Sequence, residues 1–213
     1  MLPIEDKLQE YITACSSPED PVLAELYRET HCKVPYPRMI SGHLQGKLLE
    51  FLSRMIQPAS VLEIGTYTGY SALCLAKGLK PGGKLHTIEI NDELQPVIDK
   101  YIRKAGLQEA VVLHTGDART IIPSLKEEFD LVFIDGDKEQ YLDYYRAAFG
   151  QTRTGGYIIA DNVLWNGKVI APSGDKETTG IIKFNEFIKK DTRVDQLIIP
   201  FRDGLMLIRK TTG

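Results

Sequence analysis

VLEIGTYTGYSALCLA, Val61 to Ala76, is the stretch whose reading decides the fold. Val61 to Ile64 is a short apolar run interrupted by one acid. Gly65 and Gly69 then punctuate it, and a helical pattern starts at Tyr70. That order reads as a strand, a tight turn and the start of a helix. Glycine takes positive φ without a Cβ clash and lets the backbone approach a ligand closely, while the first turn of the helix offers unpaired N–H groups to an anion. The stretch therefore predicts a nucleotide-like ligand at this turn.

The spacing narrows the ligand. A pyrophosphate-binding turn asks for G-x-G-x-x-G, whereas here the pattern is Glu63-x-Gly65-x-x-x-Gly69. An acid two residues before the first glycine suits an ammonium better than a phosphate. On these residues the stretch resembles motif I of the class I S-adenosylmethionine-dependent methyltransferases, whose ligand carries an amino-acid end and a nucleoside end.

Working outward, strand and helix patterns alternate from Ser60 onward, which predicts a mostly parallel sheet with helices on both faces. Further strands are expected at Leu85 to Ile90, Val111 to His114, Phe129 to Ile134 and Tyr157 to Ala160. Asn91 caps a helix striped by Leu94, Val97, Ile98, Tyr101, Ile102 and Ala105, and Gly106 stops it. A helix near Ile181 to Ile188 precedes the runs Leu197 to Ile199 and Leu205 to Ile208, which read as an antiparallel hairpin turning at Asp203 and Gly204. Gly167 to Gly180 reads as the least structured stretch.

Before the sheet lies a helical preface. Ile4, Leu8, Tyr11, Ile12 and Cys15 share one helical face, ended by Pro18 and Pro21. A short helix from Pro21 to Thr30 and a proline-containing loop from His31 to Arg38 follow. Ser41 is placed to cap a third helix in which Leu44, Leu48, Phe51, Leu52 and Met55 repeat. The expected division is one domain, 1–213, with 1–58 as helical cap over the substrate site and 59–213 as α/β core.

Composition agrees with one substantial core: 213 residues, 43% apolar and 26% charged. A net charge of -3 with no block of Lys and Arg argues against nucleic acid or a membrane as partner. Glu5, Asp6, Lys7 and Glu10 interrupt any leader-like apolar core, and no run approaches the ~20 apolar residues that span a bilayer. A cytoplasmic protein is expected. Cys15, Cys32 and Cys74 suit neither a disulfide framework nor zinc. His31, His43, His86 and His114 are scattered without ligand spacing.

In an open parallel sheet, ligands bind beyond the carboxyl ends of the strands, and this chain places polar residues there repeatedly. Glu63 and Ser71 flank the first turn, Glu89 closes the second strand, Asp117 follows the third, Asp135 the fourth, and Asp161 with Asn162 the fifth. Glu89 lies 24 residues after Gly65, near the distance at which an acid accepts from ribose hydroxyls. Asp117 reads either as a partner of an adenine amine or as a helix cap. Asp135, Asp161 and Asn162 supply hard oxygen donors suited to Mg²⁺ or Ca²⁺. Lys138, three residues past Asp135, becomes a usable general base where neighbouring positive charge favours its neutral amine. Asp137 reads as a cap, and Tyr141 and Trp165 as an aromatic slot or as packing.

Taken as a set, MISG (Met39 to Gly42), LEIGTYTGYS, IEI with Glu89, GDA (Gly116 to Ala118), FIDGDKEQY, ADNVLWNG and the terminal hairpin resemble the metal-dependent O-methyltransferase family of catechol and caffeoyl-CoA O-methyltransferases. The resemblance runs from about Met39 to the C-terminus. It implies a Rossmann-like methyltransferase sheet and S-adenosylmethionine contacts from Met39, Glu63, Gly65, Ser71, Glu89, Asp117, Ala118 and Asp135. It implies a divalent cation, Mg²⁺ first with Mn²⁺ and Ca²⁺ open, on Asp135, Asp161 and Asn162. Lys138, Asp135 and Asn162 form the implied catalytic set, with Lys138 taking a phenolic proton from an aromatic vicinal diol. DNVLWNG leans toward the caffeoyl-CoA and bacterial branch, and Gln196 to Pro200 lacks the acid that catechol enzymes place against the second hydroxyl. A homodimer is inherited from the family. The alternatives are a nicotinamide-dependent oxidoreductase, disfavoured by the missing third glycine, and a non-catalytic subunit that keeps the cofactor pocket.

Overall fold

The computed structural model describes residues 6–171 and 174–212. Strands β1 (Ser60–Ile64), β2 (Lys84–Glu89), β3 (Val111–Thr115), β4 (Phe129–Ile134), β5 (Thr152–Ala160), β6 (Val194–Ile199) and β7 (Leu205–Lys210) form one sheet, ordered β3-β2-β1-β4-β5-β7-β6. The first five pair in parallel, and β7 runs antiparallel to both β5 and β6. The predicted mostly parallel sheet with a terminal antiparallel hairpin is what forms. Strand order reverses at β1, which lies between β2 and β4, so the crevice beyond β1 and β4 is the natural ligand site.

Burial explains why these runs became strands. Along β1, Val61 packs on one side while Leu62 and Ile64 pack on the other, and β4 alternates likewise with Leu131 and Phe133 opposite Val132 and Ile134. Both faces are covered, so the sequence reads as continuous apolar runs rather than as apolar-polar alternation. Helices α2 (Pro21–Lys33), α3 (His43–Ile56), α4 (Tyr70–Ala76) and α5 (Gln95–Lys104) cover one face through residues such as Leu26, Leu49, Leu73 and Tyr101. Helices α6 (Ala118–Ile121), α7 (Tyr141–Phe149) and α8 (Lys176–Lys190) cover the other through Ala118, Tyr145, Phe184 and Ile188. No helix among the described residues is long and apolar enough to cross a membrane.

Two faces of the preface differ from expectation. Helix α1 (Asp6–Cys15) turns Leu8 and Tyr11 to solvent, at 51% and 66% exposure, and Ile4 lies outside the described residues. In α3 the buried arc is Gln45, Gly46, Leu49, Glu50 and Ser53, whereas Phe51 and Met55 are exposed. The reason is the closeness of α3 to α4. A Cβ on Gly46 would stand 2.5 Å from the Tyr70 ring, and one on Gly78 would stand 2.2 Å from Ser53 Oγ. Small residues sit at that contact, so Phe51 and Met55 face out while Leu48 and Leu52 stay half-buried against the core. Nor does Ser41 cap α3: Gly42 holds the cap position at φ +74° with no side-chain bond.

Part of the stretch expected to be irregular is helical. α8 begins at Lys176, inside Gly167 to Gly180, because Asp175 Oδ1 accepts from the Thr178 N–H at 2.8 Å. Gly180 then lets α8 press against the backbone at Lys138, where a Cβ would lie 2.4 Å from the Lys138 carbonyl oxygen.

Candidate active site

Beyond the carboxyl ends of the strands opens a cleft of about 1990 Å³. Following the strand order, it is lined by Gly116 and Ala118 after β3, Glu89 at the end of β2, Gly65 and Ser71 after β1, and Asp135 and Lys138 after β4. Asp161, Asn162 and Trp165 follow from β5, and Arg202 and Asp203 from the turn before β7. The segment Val34 to Ser41, including Met39, forms another wall.

Gly65 is required by packing as well as by any ligand. At φ +98° a Cβ there would meet the Asp135 carbonyl oxygen at 2.4 Å, so the β1 turn and the end of β4 touch through backbone alone. Glu89 is fixed by backbone donors, its Oε2 accepting from the Tyr67 N–H at 2.6 Å and its Oε1 from the Asn91 N–H at 2.9 Å. It is 8% exposed, with what remains open facing the cleft. A carboxylate held this way accepts from paired hydroxyls without moving.

Two residues expected to contact the cofactor are not among those that line the cleft. Glu63 is fully buried beneath the turn, accepting from the Thr87 hydroxyl at 2.5 Å, and is absent from the cleft lining. Burial pushes its carboxyl up to about 8 against the pull of the Ser71 and Thr87 hydroxyls, and the charges of Asp135 and Glu89 add to the rise. Asp117 turns away to cap α6, accepting from the Arg119 N–H at 2.9 Å and pairing with the Arg119 guanidinium, while its neighbours Gly116 and Ala118 line the cleft. Of the two readings open for Asp117, its side chain adopts the cap.

On the β4-β5 side the charged residues converge. Lys138 Nζ donates to Asp135 Oδ1 at 2.8 Å and to the Tyr141 hydroxyl at 2.6 Å. Tyr141 in turn donates to the Asp161 carbonyl at 2.9 Å. Tyr141 is fully buried and lies under the cleft rather than in its wall, so of the expected aromatic slot only Trp165 lines it. Burial holds the Tyr141 phenol well above its ordinary range, keeping it neutral to act as donor and acceptor at once. Asp137 caps the turn that carries Lys138, accepting from the Glu139 N–H at 3.0 Å.

Asp161 is 3% exposed, and burial together with the charge of Asp135 pushes it up to about 6. Its Oδ1 accepts from the Asn162 N–H at 2.7 Å and its Oδ2 from Gln45 Nε2 at 2.5 Å. Two carboxylates and an amide at adjoining strand ends are hard donors. Their unfavourable mutual charge, only partly offset by Lys138, is the environment that a divalent cation relieves. Among the described residues no three His, Cys, Asp or Glu side chains cluster as a metal site, so a cation here would need the Asn162 amide as a further ligand. His86 and His114 do meet, at 3.0 Å across β2 and β3, but with no third ligand.

Sequence reading missed Gln45 and Arg202. The Arg202 guanidinium donates to the Ser41 carbonyl and to Gln45 Oε1, completing a chain that ends on Asp161. The one signal for Gln45 is its place on the buried arc of α3 with Gly46, Leu49 and Ser53.

Comparison with known proteins addresses the chemistry. The family described as O-methyltransferase matches residues 13–211. Caffeoyl-CoA O-methyltransferase 5 of Nicotiana tabacum is 30% identical over 221 residues, covering 97% of this chain and 92% of the relative. The catechol O-methyltransferase of Niastella koreensis is 39% identical over 160 residues, covering 73% of this chain and 72% of the relative. Among solved structures, the O-methyltransferase TomG from Streptomyces achromogenes in complex with SAM has a TM-score of 0.91 at 30% identity, covering 97% of this chain and 96% of that one. An O-methyltransferase from Bacillus cereus in complex with SAH has a TM-score of 0.90 at 30% identity, covering 96% of this chain and 97% of that one.

Proposed function

The chain belongs to the O-methyltransferase family, and from that premise we propose that it transfers the methyl group of S-adenosylmethionine to one oxygen of an aromatic vicinal diol, with a divalent cation, Mg²⁺ first, held at the β4-β5 end of the cleft. The observation that carries the reading is the convergence of Asp135, Lys138, Asp161 and Asn162 in the same cleft as Glu89 and Gly65. The nicotinamide alternative finds no support, since the matching family and relatives are methyltransferases.

In this reading Glu89 accepts from the ribose hydroxyls of the cofactor, and Met39, Gly65, Ser71, Gly116 and Ala118 shape its pocket. Asp135, Asp161 and Asn162 hold the cation. Bound together, the cofactor supplies an electrophilic sulfonium methyl and the cation supplies positive charge beside the acceptor oxygens. Lys138 takes the acceptor's proton at Nζ. Tyr141 and Asp135 fix the position of that nitrogen through their contacts with Nζ. Trp165 orients the ring, and the protein's contribution is mainly positioning.

The test is kcat/KM for catechol, guaiacol and phenol, each with and without EDTA. Catechol should exceed the other two by at least ~10²-fold, because losing one chelating oxygen costs both orientation and activation. EDTA should abolish turnover. Comparable values for all three acceptors, or turnover indifferent to EDTA, would overturn the chelated-diol reading. A homodimer belongs to the same proposal, supported by the exposed Leu8, Tyr11, Phe51 and Met55 of α1 and α3, and sedimentation velocity reads it directly.

A further inference from the structure

We propose that Gln45 and Arg202 are positioning residues for Asp161: a neutral amide relay, oriented by a guanidinium, that fixes the carboxylate while leaving its charge for a cation. The inference rests on the cation reading above and extends it to two residues outside the ligand set.

Gln45 is 1% exposed and does not line the cleft, so it acts through Asp161 and not on substrate. It is held in place by its neighbour Gly46, which seats α3 directly against Tyr70. An amide can present either end, but Arg202 only donates, so its bond to Gln45 Oε1 forces Nε2 toward Asp161 Oδ2. With the Asn162 N–H on Oδ1, both carboxylate oxygens then have a fixed donor and the plane of the group is set.

The choice of residue matters. A Lys or Arg at position 45 would neutralise Asp161 and compete with a bound cation, whereas one amide N–H orients it at little cost in charge. Among the described residues Arg202 has only neutral hydrogen-bond acceptors, Ser41 O and Gln45 Oε1, and it sits at φ +51°, a backbone region a non-glycine residue occupies only when held there. Its side chain ties the turn before β7 to the start of α3. Outer-shell partners of this kind typically change metal affinity by ~10–100-fold when removed.

The experiment measures Mn²⁺ binding to the full chain by electron paramagnetic resonance of free Mn²⁺, with S-adenosylmethionine affinity followed by calorimetry. Gln45→Met keeps the bulk and removes both polar ends. Its Mn²⁺ Kd should rise at least ~10-fold, kcat should fall, and the Kd for S-adenosylmethionine should stay within about twofold. Arg202→Met should move Mn²⁺ affinity in the same direction and Arg202→Lys should recover part of it, a rescue that a merely structural role would not give. Should Gln45→Met fail to fold, the Arg202 pair decides. Wild-type Mn²⁺ affinity in either methionine variant overturns the inference alone. Absence of Mn²⁺ binding by the wild-type chain overturns the cation reading and the inference together.

Discussion

Replacing Glu63 by Gln should remove a pH dependence of stability that burial has built into β1. Glu63 is held at about 8 in the folded chain against 4.5 for an ordinary glutamate. Between those values the native state keeps a proton that the unfolded chain gives up. The group's contribution is therefore fully present below pH 4.5 and is lost as pH rises toward 8. At about 1.36 kcal/mol per pH unit, the interval from pH 5 to pH 7 costs the wild-type chain about 2.5–3 kcal/mol from this side chain. Other groups titrate alike in both proteins and cancel in the comparison. Glu29 and Asp191, each held down near 2, lose their contribution only as pH falls below 5, and Asp161, at about 6, is common to both. Gln keeps the size and one acceptor for Thr87, and misplacing its amide costs roughly 1–2 kcal/mol at every pH. Urea unfolding of both proteins at pH 5, 6, 7 and 8, without cofactor, reads the difference. The gap should move in favour of the variant by about 2.5–3 kcal/mol between pH 5 and pH 7. A gap that does not change with pH would refute a proton held on buried Glu63.

Three further substitutions probe the rest of the site. Glu89→Ala should weaken S-adenosylmethionine binding by about 1.5–3 kcal/mol, and unchanged affinity in calorimetry would remove the ribose role. Lys138→Ala should lower kcat by about 10² or more with cofactor affinity nearly intact. Full kcat would mean that another group accepts the proton. Gly65→Ala should destabilise the chain by at least about 2 kcal/mol in urea melts, through both the positive φ and the contact with Asp135, and an unaffected melt would show that β1 and β4 can separate at no cost.

The sheet was legible because its strands are buried on both faces. Phe129–Ile134 could be read to the residue from an apolar run broken only by Asp130. β5 could not, since its first half, Thr152 to Gly156, is polar and glycine-rich, and a register shift opposite Phe129 to Leu131 accommodates it. Apolar periodicity misplaced the buried face of α3 because a helix contact made by Gly46, Ser53 and Gly78 leaves no hydrophobic signal, while the exposed Phe51 and Met55 do. The acids at the strand ends were legible because an open parallel sheet sends its ligands there. Glu63 looked like one of them, yet its place on the strand itself buries it completely. Gln45 and Arg202 were invisible because a hydrogen bond between distant residues has no local period.

That distance carries a consequence for how the chain acquires its site. Gln45 lies 116 residues before Asp161 and 157 before Arg202, so the carboxylate's surroundings draw on the early, middle and last parts of the polypeptide. During synthesis the N-terminal portion folds first, and β1 to β5 can pair before Arg202 has been made. Closing loops of this length is slow relative to local helix and turn formation. The hairpin of β6 and β7 is thus a temporal seal: until it docks, Gln45 lacks its guanidinium and Asp161 keeps only the Asn162 N–H as a fixed donor. A chain stopped short of residue 202 would hold most of its secondary structure and an unfinished centre.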